Sequence, residues 1–526
     1  MAATIALAAL LSAGERASAA AAATASPVEH FDILEYRVLG NSVLPGRAVE
    51  RAVYPFLGPG RDLDAIKQAV TSLEKAYRDA GYGTIFVDIP EQRIEDDGVV
   101  RLRVTEGRLD QVRVKGARYY SNRQILAALP ALRVGTTPNL TALQQELTRL
   151  NAQTTDRTVT PILKAGAEPG TVDVDLAVRD TSPFHASVEA DNQYTENTTP
   201  NRVGVAISDD NLWQLNHSLS LQFQTAPADT RDEEVAAATY IARSEDPASP
   251  FWAFSYVNNS SNVATIGTLG VLGRGNIYGA RWVDPAENTE TTSQSVTLGL
   301  DYKDFLEDVR LAGEGGDETP IQYLNWSAQY SGSWRTTGRT ITVTSTVNFG
   351  VPGLVNQQDQ FEARRYGALA GYYYLRSSAQ VLQALPLQFA LLARIGGQWS
   401  PDPLIDDEQF SLGGLDSVRG YLVAESLGDE AGTGTLELHT PQWGAQWGHT
   451  LNAFYGFVFG DWGITGLMKP LPEEARWTHL GSTGLGVRMD GGSGLQGTID
   501  YALPLVTGPF TRRGDPRVDF SIHYGF

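Results

Sequence analysis

The chain closes on Val518-Asp519-Phe520-Ser521-Ile522-His523-Tyr524-Gly525-Phe526, and this stretch decides the fold. Val518, Phe520, Ile522, Tyr524 and Phe526 share one side of a two-residue period, while Asp519, Ser521, His523 and Gly525 share the other. Side chains of a strand point alternately to its two faces, so one face here is wholly apolar and ends in aromatics. The same texture runs back to Pro183. Segments of about ten residues alternate in this way, separated by Asp, Asn, Gly and Pro clusters. Examples are 219–223, 296–302, 341–349 and 389–395. The 344 residues from Pro183 onward allow roughly 21 per strand and connection if there are about sixteen strands, and an even count returns both ends to one side of a membrane. A large soluble β-sandwich or propeller is the competing architecture, but no blade-length repeat is visible.

Composition agrees with a membrane barrel. The chain has 526 residues, 42% of them hydrophobic, with Gly 53, Tyr 21 and Trp 10. Past the N-terminus no run of 18 apolar residues occurs, which excludes helical membrane spans. A barrel strand escapes that test because only half its side chains meet lipid. The net charge of −20 argues against a nucleic-acid partner, which needs a basic face. Cysteine is absent, so there is no disulfide, thiolate metal site or cysteine nucleophile.

Ahead of the barrel the pattern differs. Residues 31–107 read as a small α/β unit. A strand over 31–39 closes on Gly40-Asn41, and a short helix follows around 47–56. Leu63, Ile66, Val70, Leu73, Tyr77 and Ala80 then fall at helical spacing before Gly81 and Gly83. Strands around 84–89 and 99–104 follow, and Asp96-Asp97-Gly98 supplies the turn chemistry between them. Residues 108–180 repeat that order. A strand with Val112 and Val114 ends at Gly116, a helix starts near Ser121, and a second carries Leu140, Leu143, Leu147 and Leu150. Strands around 159–163 and 172–178 are joined through Glu168-Pro169-Gly170. Two consecutive units of this kind form an internal repeat.

Residues 1–25 read as a signal peptide: an apolar stretch over 4–13, too short to span a bilayer, then Ala23-Thr24-Ala25 as an A-x-A cleavage site. No Lys or Arg precedes Thr4, which on this reading points to a natural start upstream.

No catalytic constellation emerges. The seven His residues are scattered without metal-binding spacing, and no G-x-S-x-G elbow occurs. Gly492-Ser493-Gly494-Leu495-Gln496-Gly497 matches G-x-G-x-x-G, but it lies in a strand-only region without the helix N-terminus that would hold a pyrophosphate. No enzyme activity, cofactor or metal is expected. The informative phrases are architectural: Pro90-x-Gln92 with Gly98 and Val104-Thr105-Glu106-Gly107; Leu150-Asn151 followed by 159–164 and 169–173; Glu408-Gln409-Phe410-Ser411-Leu412-Gly413-Gly414 running into Val418-Arg419-Gly420-Tyr421; Phe459-Gly460-Asp461-Trp462-Gly463; and the terminal strand.

On these phrases the chain resembles the outer-membrane transporters of two-partner secretion, the TpsB type that exports haemolysins and filamentous adhesins, within the POTRA-plus-barrel superfamily. The resemblance covers about residues 31–526. Arg-Gly-Tyr by itself is a weak signal. Within the loop phrase, followed some 40 residues later by F-x-D-x-G, it is a strong one.

The resemblance implies two periplasmic POTRA domains, 31–107 and 108–180, ahead of a sixteen-stranded outer-membrane barrel over 183–526. It implies that the sixth extracellular loop, about 400–432, folds into the lumen with Val418, Arg419, Gly420 and Tyr421 at its tip. Asp461, between Phe459 and Gly463 on the thirteenth strand, is expected to pair with Arg419. A guanidinium deep in a barrel is costly unless a carboxylate meets it. Tyr524 and Phe526 are the expected assembly signal. Alternation puts Asp461 on one face with Tyr455, Phe457 and Phe459, so either the aromatics also face the lumen or a bulge near Gly460 separates them. The implied partners are a secreted, β-helical exoprotein, the barrel-assembly machinery during biogenesis, and outer-membrane lipid. An insertase of the same superfamily is the alternative function, and a passive porin, which needs no recognition domains, a third. Many relatives carry an N-terminal plug helix. About five residues separate Ala25 from the first strand, so either the plug is absent or the start lies upstream.

Overall fold

The computed structural model describes residues 30–526 except 95–96, 197, 232, 245, 247–248, 261–262, 267–268, 273, 290, 307, 310–316, 319, 444–450, 473 and 493. The signal-peptide and plug readings therefore lie outside the described residues, as does part of the Asp96-Asp97-Gly98 turn.

Two compact units divide at Arg108. In the first, Glu35–Leu39 pairs parallel with Val99–Glu106, which pairs antiparallel with Ile85–Asp88. Helix Leu63–Asp79 starts where Asp62 accepts a hydrogen bond from the Ala65 amide (2.9 Å), a side-chain cap that satisfies an otherwise orphaned donor. It buries Ile66, Ala69, Leu73 and Tyr77 against the sheet, while Leu63 stays half exposed at the first turn and Ala80 caps the end. The expected single strand over 31–39 is two strands. The amides of Leu34 and Glu35 both donate to the Gly98 carbonyl (2.9 and 3.3 Å), so the chain bends there, and Phe31–Ile33 pairs instead with Gly58–Arg61.

The second unit opens with another three-stranded sheet, in the order Arg108–Lys115, Thr171–Asp180, Arg157–Ala165. Ser121 caps the short helix Asn122–Ala127, and Leu143, Leu147 and Leu150 of helix Leu140–Ala152 pack onto Val174, Leu176 and Val178. Asp175 sits between the ammonium groups of Lys115 (2.8 Å) and Lys164 (2.5 Å), whose hydrogen bonds hold its carboxyl down to about 2.

From Phe184–Asp191 to Arg517–Gly525, sixteen antiparallel strands among the described residues close into a barrel. The closing seam pairs Ser521 with Asp191 through Gly525 with Ser187, and Phe526 extends it by exchanging both backbone bonds with Ala186 (3.0 and 2.9 Å). Alternation sorts the side chains. Val458, Trp462, Leu485, Ile499, Val518, Ile522 and Tyr524 are exposed outward, as lipid contact requires. Asp461, Ser482, Asp500 and Asp519 are buried on the other side. Gly494, from the G-x-G-x-x-G match, has φ +86 at the start of the fifteenth strand, and a Cβ there would stand 2.1 Å from the Gly525 carbonyl oxygen. It is a turn glycine, and a strand follows it, not a helix.

Candidate functional site: a lumenal loop anchored by buried ion pairs

The eleventh strand, Ala390–Trp399, and the twelfth, Glu430–His439, are joined by residues 400–429. The loop thus ends slightly before the expected Gly432, because pairing with the thirteenth strand, Leu451–Gly466, already begins at Glu430. Within it Phe410–Leu412 pairs antiparallel with Ser426–Gly428, making a stem. The tip beyond that stem turns at Gly413 (φ +114), Gly414 (φ +89) and Gly420 (φ +85). At Gly420 a Cβ would also meet the Ala502 Cβ at 3.0 Å, so both the backbone and the closeness of the barrel wall call for glycine.

The tip brings Arg419 to the wall. Its Nε and Nη2 donate to the two oxygens of Asp461 (2.7 and 2.9 Å), and its own amide donates to the same carboxylate (3.2 Å). The bidentate fork fixes orientation as well as charge. Nη1 donates to Glu437 on the neighbouring strand (2.7 Å), with Asp500 at 3.6 Å. The guanidinium lies 3.6 Å above the Phe459 ring and 5.7 Å from that of Phe457. Arg419 is 3% exposed and Asp461 4%.

The thirteenth strand shows why F-x-D-x-G has its spacing. Its register is unbroken from Ala453 to Gly466 against the fourteenth strand and from Phe457 to Gly466 against the twelfth, and a register shift lies between Leu451 and Ala453. There is no bulge at Gly460. The aromatics face the lumen together with Asp461, because Phe457 and Phe459 form the surface on which the cation rests. Two residues further, a Cβ at Gly463 would stand 2.5 Å from Leu412 Cδ1 and 3.0 Å from Val418 Cγ2. Ring, carboxylate and vacant space thus recur every second residue along one face. Val418 is fully buried with Leu412, Tyr421 and Leu480. The Tyr421 hydroxyl donates toward the Val506 carbonyl (2.7 Å), with that of Gly481 at 2.9 Å. Tyr524 and Phe526 lie apart from this site, on the outer face, with ring centroids 5.8 Å apart.

Several participants were not legible in advance. Glu437 also accepts from His439 (2.8 Å) and Arg488 (3.4 Å). Asp429 at the loop's base is fully buried and accepts two bonds from Arg365 (2.5 and 2.8 Å). It also accepts from the amides of Leu404 (2.9 Å) and Met468 (2.6 Å). Glu408 accepts from Lys303 (2.5 Å), Tyr323 and Tyr374 (both 2.7 Å). The available signal was charge at alternate positions inside otherwise apolar strands, as in Glu437-Leu438-His439. Beside the anchor a lumenal cavity of about 700 Å³ opens among Arg394, Arg488, Glu437 and Asp500.

A closed barrel, α/β units ahead of it and a loop pinned inside the lumen define an outer-membrane protein of the POTRA-plus-barrel class. Residues 170–489 match the family described as haemolysin secretion/activation protein ShlB/FhaC/HecB, and residues 31–107 match the ShlB-type POTRA domain. The chain belongs to the ShlB/FhaC/HecB family of haemolysin secretion/activation proteins. It is 23% identical over 441 residues to the outer membrane transporter CdiB of Dickeya dadantii (strain 3937), covering 78% of this chain and 73% of that one. The CdiB of Escherichia coli O6:K15:H31 is 23% identical over 490 residues, covering 90% and 79%. The solved structure of CdiB from Escherichia coli superposes with a TM-score of 0.69 at 20% identity, covering 97% and 93%. BamA from Haemophilus ducreyi lacking POTRA domains 1–3 reaches 0.52 at 15%, covering 94% and 100%. These two structural likenesses are of fold. The protein is an outer-membrane transporter of the secretion type, with its POTRA domains in the periplasm, and the insertase alternative is the less supported.

Proposed function

We propose that the protein exports one secreted partner, a β-helical exoprotein delivered unfolded, and that its two POTRA units, 31–107 and 108–180, capture that partner before the barrel conducts it to the surface. The open sheet edges, Glu35–Leu39 and Ile85–Asp88 in the first unit and Arg108–Lys115 and Arg157–Ala165 in the second, suit strand addition, in which backbone bonds give affinity without requiring a folded ligand. Folding of the exoprotein outside supplies the driving force. The observation that carries this reading is loop six. It occupies the lumen and is held to the wall by localised contacts, the Arg419 pair, the Glu408 and Asp429 networks and the packing of Val418 and Tyr421, so that their release displaces it as a unit. Val418, Arg419, Gly420 and Tyr421 form the anchor, with Phe459, Asp461 and Gly463 as its seat. The barrel-assembly machinery inserts the protein by its terminal Tyr524 and Phe526, and lipid then surrounds the outer face.

The test is co-expression with the β-helical exoprotein encoded nearest the gene. Secretion into the medium is compared between the full chain and a variant lacking residues 31–180. The barrel should still reach the outer membrane, and secretion should vanish. Normal secretion by the truncated barrel would refute the division of labour.

A further inference from the structure

A second cavity, about 560 Å³, lies where the second α/β unit meets the first two periplasmic turns of the barrel. What lines it is unusual in sign. Arg157 is 1% exposed. Its Nη2 donates to the Leu150 carbonyl (2.9 Å) and to Gln153 (3.2 Å), and its plane rests on Tyr120 at 4.8 Å. Its Nε and Nη1 have no hydrogen-bond partner among the described residues. Asn216, 5% exposed, accepts at Oδ1 from Gln124, while its Nδ2 also lacks a partner. Among the described residues, half-buried Arg243 donates to the Asn216 carbonyl (3.4 Å) and the Ser218 hydroxyl (3.2 Å), and its guanidinium lies 5.7 Å from the Phe251 ring. Every unmet group among these three side chains is a donor, and two of the three are cations. Among the described residues the one carboxylate on the wall is Asp210, which lies 3.9 Å from His185 Nε2, itself 2.9 Å from Asp156. A buried charged donor left without an acceptor is costly, and such groups in native proteins mark a bound water or ion.

Two guanidinium groups and an amide converging on one space suit a phosphate, whose several acceptor oxygens match the fork of arginine. The surroundings point to where that phosphate comes from. On the same turn as Asn216, Trp213 is 69% exposed and Leu215 44%. Trp213 stacks edge-on to Tyr240 of the barrel wall, 6.2 Å between centroids, and Trp252 and Phe254 are exposed close by in sequence to Arg243. Exposed aromatics of a barrel gather at the level of the lipid headgroups. We infer that this cavity binds the phosphate of a phospholipid headgroup from the periplasmic leaflet, tying the second POTRA unit to the barrel through lipid. The inference does not rest on the transport reading.

The test uses the full-length protein in detergent, with amide hydrogen exchange over 150–158 and 213–218 as the readout. Phosphatidylglycerol, dioleoylglycerol as a phosphate-free lipid, and inorganic phosphate are titrated separately. Phosphatidylglycerol should protect both segments, and dioleoylglycerol should not. Arg243→Gln should weaken the phosphatidylglycerol effect about tenfold. Arg243 is at the barrel rim, so heat-modifiable migration reports whether that variant is folded. Asn216→Asp, which replaces a donor by a negative charge, is the second variant and should abolish protection. Equal potency of inorganic phosphate would keep the site and assign it to the free ion. Absence of protection by either phosphate source, equal protection by dioleoylglycerol, or unchanged protection in both variants would overturn the inference.

Discussion

Removing Arg419 should unlock the loop more completely than removing Asp461, because the two leave different charges behind. In Arg419→Ala, Asp461 loses both side-chain hydrogen bonds and keeps only the one from the backbone amide of residue 419, and Glu437 and Asp500 lose the cation beside them. In Asp461→Ala, the guanidinium keeps its 2.7 Å bond to Glu437 and its place over Phe459. Stranding one member of a buried pair costs about 3–5 kcal/mol, and a wet lumen takes the figure lower. Arg419→Ala belongs at the upper end of the range that remains and Asp461→Ala at the lower. The double variant should be little worse than Arg419→Ala, since the shared interaction is lost only once. The absence of native cysteine makes the assay clean. A cysteine at fully buried Val418 should react slowly with a maleimide in outer membranes when Arg419 is present. Each 1.4 kcal/mol is a factor of ten in the open population, so a loss of even half the full cost raises the labelling rate by about tenfold or more. Secretion should fall in parallel while heat-modifiable barrel levels hold. A labelling rate for Arg419→Ala within about twofold of the parent, or strictly additive secretion defects, would remove the pairing from the account.

Three further outcomes are expected. Deleting Phe526 removes both backbone bonds to Ala186 at the seam and an exposed terminal aromatic; the amount of heat-modifiable barrel in the outer membrane should drop, and unchanged levels would count against the assembly role. Gly463→Ala drives a methyl into Leu412 and Val418, an overpacking that costs about 1–3 kcal/mol; the same cysteine assay should show a looser tip, and parental rates would mean that the wall yields freely. For Asp175 the folded carboxyl titrates near 2, below its ordinary 3.8, so its contribution is present above the ordinary value and is lost as pH falls through about 2. Amide exchange in Thr171–Asp180 should therefore accelerate over that acid range, and Asp175→Asn, already without the charge, should flatten the dependence.

Much of the architecture was written locally. The two-residue period of 518–526 implies a strand with one apolar face wherever it lies, and the outward exposure of Val518, Ile522 and Tyr524 is that pattern turned toward lipid. Capping at Asp62 and Ser121 and the stripes 66–69–73–77 and 143–147–150 are likewise neighbourhood effects. The sequence by itself also set the spacing of Phe459, Asp461 and Gly463, since a period of two puts any such trio on one side. It could not say which side was inside. That was settled by closure of the barrel, which needs the pairing of Arg517–Gly525 with Phe184–Asp191, more than three hundred residues apart. Closure turned Phe457 and Phe459 inward beside a cation, which decides between the two alternatives the alternation left open, with no bulge at Gly460. It also brought Glu437, Asp500 and Arg365 to loop six from three separate segments. Local propensity carries no information about such partners, because a buried charge is made tolerable only by whatever the rest of the chain places opposite it.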